Sequence, residues 1–124
     1  MKSNKDLKES LPKSYYGYMK ELSDDNSRIP KLFQQWVDEG FDDSETWSFD
    51  STLQSFIYPR LRRLVEIQKE YIVLDKDYEE ALEVMLDGFE LAASEDYDNW
   101  DEEQYSKVHS AYEALAKYHN RLWW

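Results

Sequence analysis

Apolar residues recur along this chain at helical spacing. Leu32, Phe33, Trp36 and Val37 fall at i, i+1, i+4 and i+5. They lie between Pro30, a favoured first helical position, and Gly40, a favoured residue just past a helix end, which predicts a helix over residues 30–40. A longer stripe of Leu53, Phe56, Ile57, Leu61, Leu64, Val65 and Tyr71 follows Ser51 as cap and keeps the helical period. Pro59 lies within that stripe; it lacks an amide hydrogen and crowds the preceding turn, so a kink is expected near residues 55–59. Asp75 caps a fourth helix reaching Ser94, with Tyr78, Ala81, Leu82, Met85, Phe89 and Ala92 facing inward. Gly88 inside that helix costs stability and so points to close packing. A last helix starts near Asn99, which with Glu102 approximates a capping box. Its stripe is Tyr105, Val108, Tyr112, Leu115, His119 and Leu122, and it runs on to Trp123 and Trp124.

The intervening segments are polar. A short helix is expected over residues 14–22, with Tyr15, Tyr18 and Met19 on one side, ended by the run 23–27. Residues 41–50 read as a turn in which Asp43 or Ser44 caps a single helical turn that carries Trp47 inward. Residues 1–13 show no sustained periodicity and read as a flexible leader to a single helical domain over 14–124. With no alternating segment, the expected fold is all-α: a compact antiparallel helical bundle of about five helices, the third kinked at a proline.

Composition narrows the class. The 124 residues are 41% apolar and 16% aromatic, too rich in core formers for the net charge of −12 to imply disorder. The absence of cysteine excludes disulfides and thiolate metal sites. No charged segment followed by an apolar stretch opens the chain, and no apolar run approaches the roughly 20 residues that cross a bilayer, so a cytoplasmic, non-membrane protein is expected. The charge is uneven. Residues 1–71 carry 13 acids against 11 bases, whereas residues 72–124 carry 14 against 4. Such a field opposes direct nucleic-acid binding and favours a protein partner with a basic surface.

Candidate chemistry is sparse. Asp50, beside Trp47, is expected to cap a helix or pair with a nearby arginine. Arg60, Arg62 and Arg63 form the notable basic cluster. They suit either an anion or acidic-partner grip, or neutralisation of Asp77, Glu80 and Glu83 on a neighbouring helix, with the balance on the second. Glu79, Glu83 and Glu90 share helical spacing, but neither His109 nor His119 has a glutamate three residues before it, as di-metal bundles require, so no metal is expected. His119, on the apolar stripe, reads as a core or interface histidine. Without a Gly-x-Ser-x-Gly elbow or a glycine-rich phosphate loop, no catalytic residue, cofactor or enzymatic activity is expected. Five Trp, ten Tyr and five Phe either fill an aromatic core or partly reach the surface as a binding hot spot.

The residues Asp42-Asp43-Ser44-Glu45-Thr46-Trp47-Ser48-Phe49-Asp50, then Phe56-Ile57-Tyr58-Pro59-Arg60-Leu61, resemble the T-W-S/N-L-D … F-I-x-P-R-L-K signature of a family of small proteins encoded by tailed bacteriophages. Residues 82–90 resemble that family's I-L-D-K-M-I-x-A-F-E helix, and residues 115–118 with 122–124 its L-F-A-K-Y-F-x-x-L-W ending. The likeness spans roughly residues 28–124, departing at Phe49, where leucine is usual, and at Gly88, where a small apolar residue is. It implies a phage origin, hence a host cytoplasm, and a helical fold, with Trp47, Asp50 and Pro59 as structural motif positions. It implies no activity. The leading expectation is therefore a non-enzymatic protein that binds a host or phage protein through the acidic surface of Glu95, Asp96, Asp98, Asp101, Glu102 and Glu103. Anti-CRISPR-like inhibition of a host nucleic-acid-handling or defence enzyme is one concrete form of it. A self-associating accessory protein and a small-ligand or nucleotide-sequestering protein stand as alternatives.

Overall fold

The computed structural model describes residues 2–94 and 99–124, and among these the chain is all-α, with no strand. Its helices are α1 (Asn4–Glu9), α2 (Ile29–Glu39), α3 (Phe49–Tyr71), α4 (Lys76–Ala92) and α5 (Glu102–Tyr118). Short 3-10 turns occupy Met19–Glu21, Asp43–Thr46 and His119–Arg121. Contacts divide the chain into two compact units, Met1–Thr52 and Leu53–Trp124, where the sequence pattern predicts one domain over residues 14–124. The periodicity of each helix reports an apolar face but not which other faces it meets.

The first unit has a small core of Leu11, Met19, Ile29 and Leu32, flanked by Leu7, Tyr15, Leu22, Phe33 and Trp36. Its opening residues are not a loose leader. Ser3 accepts from the Asp6 amide, and Asp6 accepts from the Ser3 amide, which closes a capping box on α1. Leu7 and Leu11, four residues apart, then turn one apolar side to the core, and Lys8 Nζ donates to the Leu22 carbonyl at 2.6 Å. The helix expected over residues 14–22 shrinks to the Met19–Glu21 turn, because the close approach of Gly17 and the polar contacts of Tyr15 and Tyr18 wrap that stretch irregularly around a buried cluster. α2 follows its markers closely: Pro30 lies in its first turn and Gly40 ends it at φ +81°, the left-handed region glycine enters without a Cβ clash.

The second unit packs α3, α4 and α5 around Leu61, Val65, Tyr78, Leu82, Met85, Phe89 and Ala111. α4 and α5 run antiparallel, since Tyr78 meets Tyr118 and Arg121 while Gly88, one helix length later, meets Ala111 and Lys107. Gly88 is obligatory at that crossing: a Cβ there would collide with the Ala111 Cβ and stand 2.7 Å from the Lys107 carbonyl oxygen. Leu82, Met85 and Phe89 have no exposed surface, and burying such side chains contributes about 1.5–3 kcal/mol each. α3 passes through Pro59 as one helix; the proline supplies no amide to the preceding turn, and the Arg60 guanidinium folds back to donate to the Phe56 carbonyl at 3.0 Å. Asp75 caps α4 as expected, accepting from the Tyr78 amide at 3.1 Å, though α4 ends at Ala92. α5 is capped by Asp101 with Gln104, not by Asn99 with Glu102, because the glutamine amide oxygen serves the capping box as well as a carboxylate does.

Candidate functional site

The second unit assembles its most elaborate polar structure where α3 and α4 meet residues 121–124. Gln68 lies on the buried side of α3 and is 1% exposed. Its Nε2 donates to the carbonyls of Arg121 at 2.8 Å and Trp123 at 2.9 Å, and its Oε1 accepts from the Tyr78 hydroxyl at 2.7 Å. Every polar atom of that amide is thus used, which is the condition for burying it without a large desolvation penalty. Burial raises the Tyr78 phenol above its ordinary range, opposed by the Gln68 bond and the Arg121 charge. Arg121 spreads over the Tyr78 ring at 3.9 Å and donates to Asp75 at 2.6 Å, a bond that holds the Asp75 carboxyl below the usual carboxylate range.

This clamp grips backbone, and so presents side chains. Trp123 and Trp124 are 66% and 69% exposed, and the Trp124 indole stacks on Tyr71 with 6.3 Å between centroids and 17° between planes. Trp124 closes a concavity of about 460 Å³ whose other walls are Pro59, Arg60, Arg63, Leu64 and Ile67. Two features read separately in the sequence, the arginine cluster and the last tryptophan, therefore share one site.

Among the described residues, Arg62 and Arg63 form no ion pair with the acids of α4. Arg63 pairs with Glu66 on its own helix at 3.1 Å, Arg60 lies over the Phe56 ring at 3.9 Å, and Arg62 approaches the Tyr58 ring at 5.7 Å. Glu83 meets Lys69 instead, and Glu80 meets Lys76. All three arginines are exposed on α3, and Arg63 is neutralised within its own helix by Glu66, not by the expected Asp77, Glu80 or Glu83.

Of the acidic surface positions, Glu95, Asp96 and Asp98 lie outside the described residues. Asp101, Glu102 and Glu103 are exposed at the start of α5, where Asp101 caps the helix and the two glutamates complement its positive end. A longer exposed acidic line runs down the outer side of α4 through Glu80, Glu83, Asp87 and Glu90, at steps of three, four and three residues. Among the described residues, no group of three or more His, Asp or Glu is placed to hold a metal ion. His119 is exposed, its Nδ1 2.9 Å from the Ala116 carbonyl, because α5 gives way to a 3-10 turn there and its stripe rotates out of register.

The first unit holds a second buried polar cluster, in the turn that carries the phage-like signature. Asp42 and Glu45 form a capping box, the Asp42 amide donating to Glu45 at 2.7 Å. The Tyr15 hydroxyl donates to Asp42, Ser44 Oγ stands 2.9 Å from that hydroxyl, and the Tyr18 amide donates to Ser44 Oγ at 3.0 Å. Gly17 runs so close that a Cβ would strike both Ser44 Oγ and the Tyr15 ring. Burial, then the bond to Asp42, pushes the Tyr15 phenol far up; burial likewise lifts the Glu45 carboxyl. The cap is Asp42, not the expected Asp43 or Ser44, and Trp47 points outward at 82% exposure, its ring edge-on to Tyr18 at 6.4 Å. Asp50 lies inside α3, which already begins at Phe49, and accepts from Ser48 at 3.1 Å; among the described residues it meets no arginine.

Comparison with models of protein families, with curated proteins and with solved structures finds no match for this chain.

Proposed function

We propose that this chain is a non-enzymatic interaction protein of phage type, acting in the host cytoplasm by binding a protein with a basic surface. The carrying observation is the outer line of α4. Glu80, Glu83, Asp87 and Glu90 are exposed along about three helical turns, and only Glu80 and Glu83 have ion-pair partners among the described residues, at 3.9 and 3.5 Å and exposed to solvent. Carboxylates repeating every turn of a rigid helix resemble a row of phosphates, which suits inhibition of a nucleic-acid-handling or defence enzyme by occupying its basic channel. No helix among the described residues is long and apolar enough to cross a membrane.

The test is capture from host lysate at low and high salt by the wild-type chain and by Glu83→Lys/Asp87→Lys/Glu90→Lys, with double-stranded DNA as competitor. Salt-sensitive, DNA-displaced capture of a basic protein that the triple variant loses is the expected result. Capture unchanged by charge reversal and by DNA overturns the reading. The 82% exposure of Trp47 and 61% exposure of Phe49 favour self-association as a second reading, which a strict monomer in light scattering at high micromolar concentration would sink.

A further inference from the structure

We infer that the concavity between α3 and Trp124 is a binding site for a small nucleotide, its base on the Trp124 indole and its phosphate on Arg60 and Arg63. The site lies in the second unit, away from the outer line of α4, and stands independently of the reading above.

Three observations converge on that ligand. The first is composition of the walls. Guanidinium forks match phosphate oxygens in pairs, whereas an indole face accepts any nucleobase by stacking. A second concavity, over α1, is lined by Lys5, Lys8 and Lys20 together with Glu9 and Asp24, so its cations share the space with carboxylates and no aromatic wall offers a base a place to stack. The second observation is preparation. Trp124 is 69% exposed but supported in place, by the Gln68 bond to the neighbouring Trp123 carbonyl and by Tyr71, which stacks on the indole without lining the cavity. Such support lowers the ordering cost of binding. The third is what the charges already do. Among the described residues Arg63 pairs with Glu66 alone, and the two side chains are 64% and 57% exposed, a contact weak enough in water to be exchanged for phosphate.

Size and field then restrict the class. About 460 Å³ falls within the range of small-ligand pockets, roughly 300–1,000 Å³. A long polyanion would have to approach the acidic residues of α4 and α5, whose field repels it, whereas a nucleotide with one or two phosphates spans only the arginine-rich patch. An acidic peptide shares the phosphate's charge but has no use for the fixed indole.

The experiment is titration of the full chain with adenosine 5′-diphosphate, followed by calorimetry and tryptophan fluorescence, with adenosine, inorganic phosphate, a single-stranded oligonucleotide and an Asp/Glu-rich peptide in parallel. The diphosphate is expected to bind and quench, with adenosine and phosphate each weaker by about tenfold or more, since each makes only half the contacts. Arg60→Ala/Arg63→Ala and Trp124→Ala should each weaken binding by about tenfold. Trp124→Phe should recover part of that loss, Trp47→Ala should cost nothing, and Glu83→Lys/Asp87→Lys/Glu90→Lys should not weaken binding. No binding at millimolar diphosphate overturns the proposal, as does phosphate binding as tightly as the diphosphate. Tighter arginine-dependent binding of the oligonucleotide or of the acidic peptide also overturns it, assigning the site to a strand or to a protein.

Discussion

Both units bury a polar cluster beside a tyrosine, and they do so with opposite chemistry. In the first, a carboxylate, Asp42, with no exposed surface, is surrounded by the Tyr15 hydroxyl, the Ser44 hydroxyl and the Ser44 amide. In the second, a neutral amide, Gln68, joins the Tyr78 hydroxyl to two backbone carbonyls. A buried charge demands several donors at once, so the first cluster dictates local chain path: Gly17 must be glycine and the Asp43–Thr46 turn must close tightly. A buried amide carries no net charge and can donate as well as accept, so the second cluster binds backbone carbonyls more than fifty residues away in sequence and holds an otherwise exposed segment. The first organises a turn, and the second displays a surface.

The largest expected effect comes from removing the charge's anchor. Asp42→Ala leaves the Tyr15 hydroxyl and the Ser44 amide buried without their acceptor and should destabilise the first unit by about 3 kcal/mol, from the usual cost of orphaned buried donors. Amide hydrogen exchange at Tyr18 and Ser44 would accelerate while exchange within α4 would not. Equal acceleration in both would mean that the two clusters do not act locally. Gln68→Ala is the matching cut in the second unit. About 2 kcal/mol should be lost, because the Arg121 carbonyl keeps the Tyr78 hydroxyl at 3.1 Å and the Trp123 carbonyl, on an exposed residue, can find water. Near-ultraviolet circular dichroism should report a loosened Trp124–Tyr71 stack, and an unchanged tryptophan signal would show that the stack alone fixes the indole.

Legibility in the sequence follows the same division. The helices with one-sided apolar stripes, α2 and α4, were plain from spacing and caps, and Gly88 announced its close approach because glycine is costly inside a helix without a reason. Gln68 was hidden because periodicity counts apolar positions, and a glutamine at a stripe position reads as a gap; its place three residues after Val65, on the buried side of α3, was the available signal. Tyr78 was read as core, which it is, with nothing to show that its hydroxyl would meet residues 121–123. Asp42, Asp43 and Ser44 are all capping residues by type, so sequence offers Asp43 or Ser44 as readily as Asp42, and only the tertiary contact with Tyr15 selects Asp42. Trp47 was turned inward on hydrophobicity alone, though a tryptophan beside a tight polar turn has little core to enter.

The smallest effect sharpens the comparison by pH. A tyrosine whose folded phenol titrates above its ordinary 10.0 keeps its proton where the unfolded chain releases it. The folded state therefore binds more protons at high pH, and stability, level below about pH 10, must fall as pH rises through that value toward the folded phenol's own. Tyr15 is raised chiefly by burial and further by its bond to Asp42, while at Tyr78 the Gln68 bond and the Arg121 charge work against burial. The alkaline decline should thus run over a wider pH span for Tyr15. Urea midpoints between pH 8 and pH 11 should fall for the wild type, flatten most in Tyr15→Phe and flatten less in Tyr78→Phe, over an interval of about three pH units that brackets the unperturbed phenol. Identical curves for the two variants would show that the nearby carboxylate adds nothing to burial, and the contrast between a charged and a neutral cluster would lose its electrostatic basis.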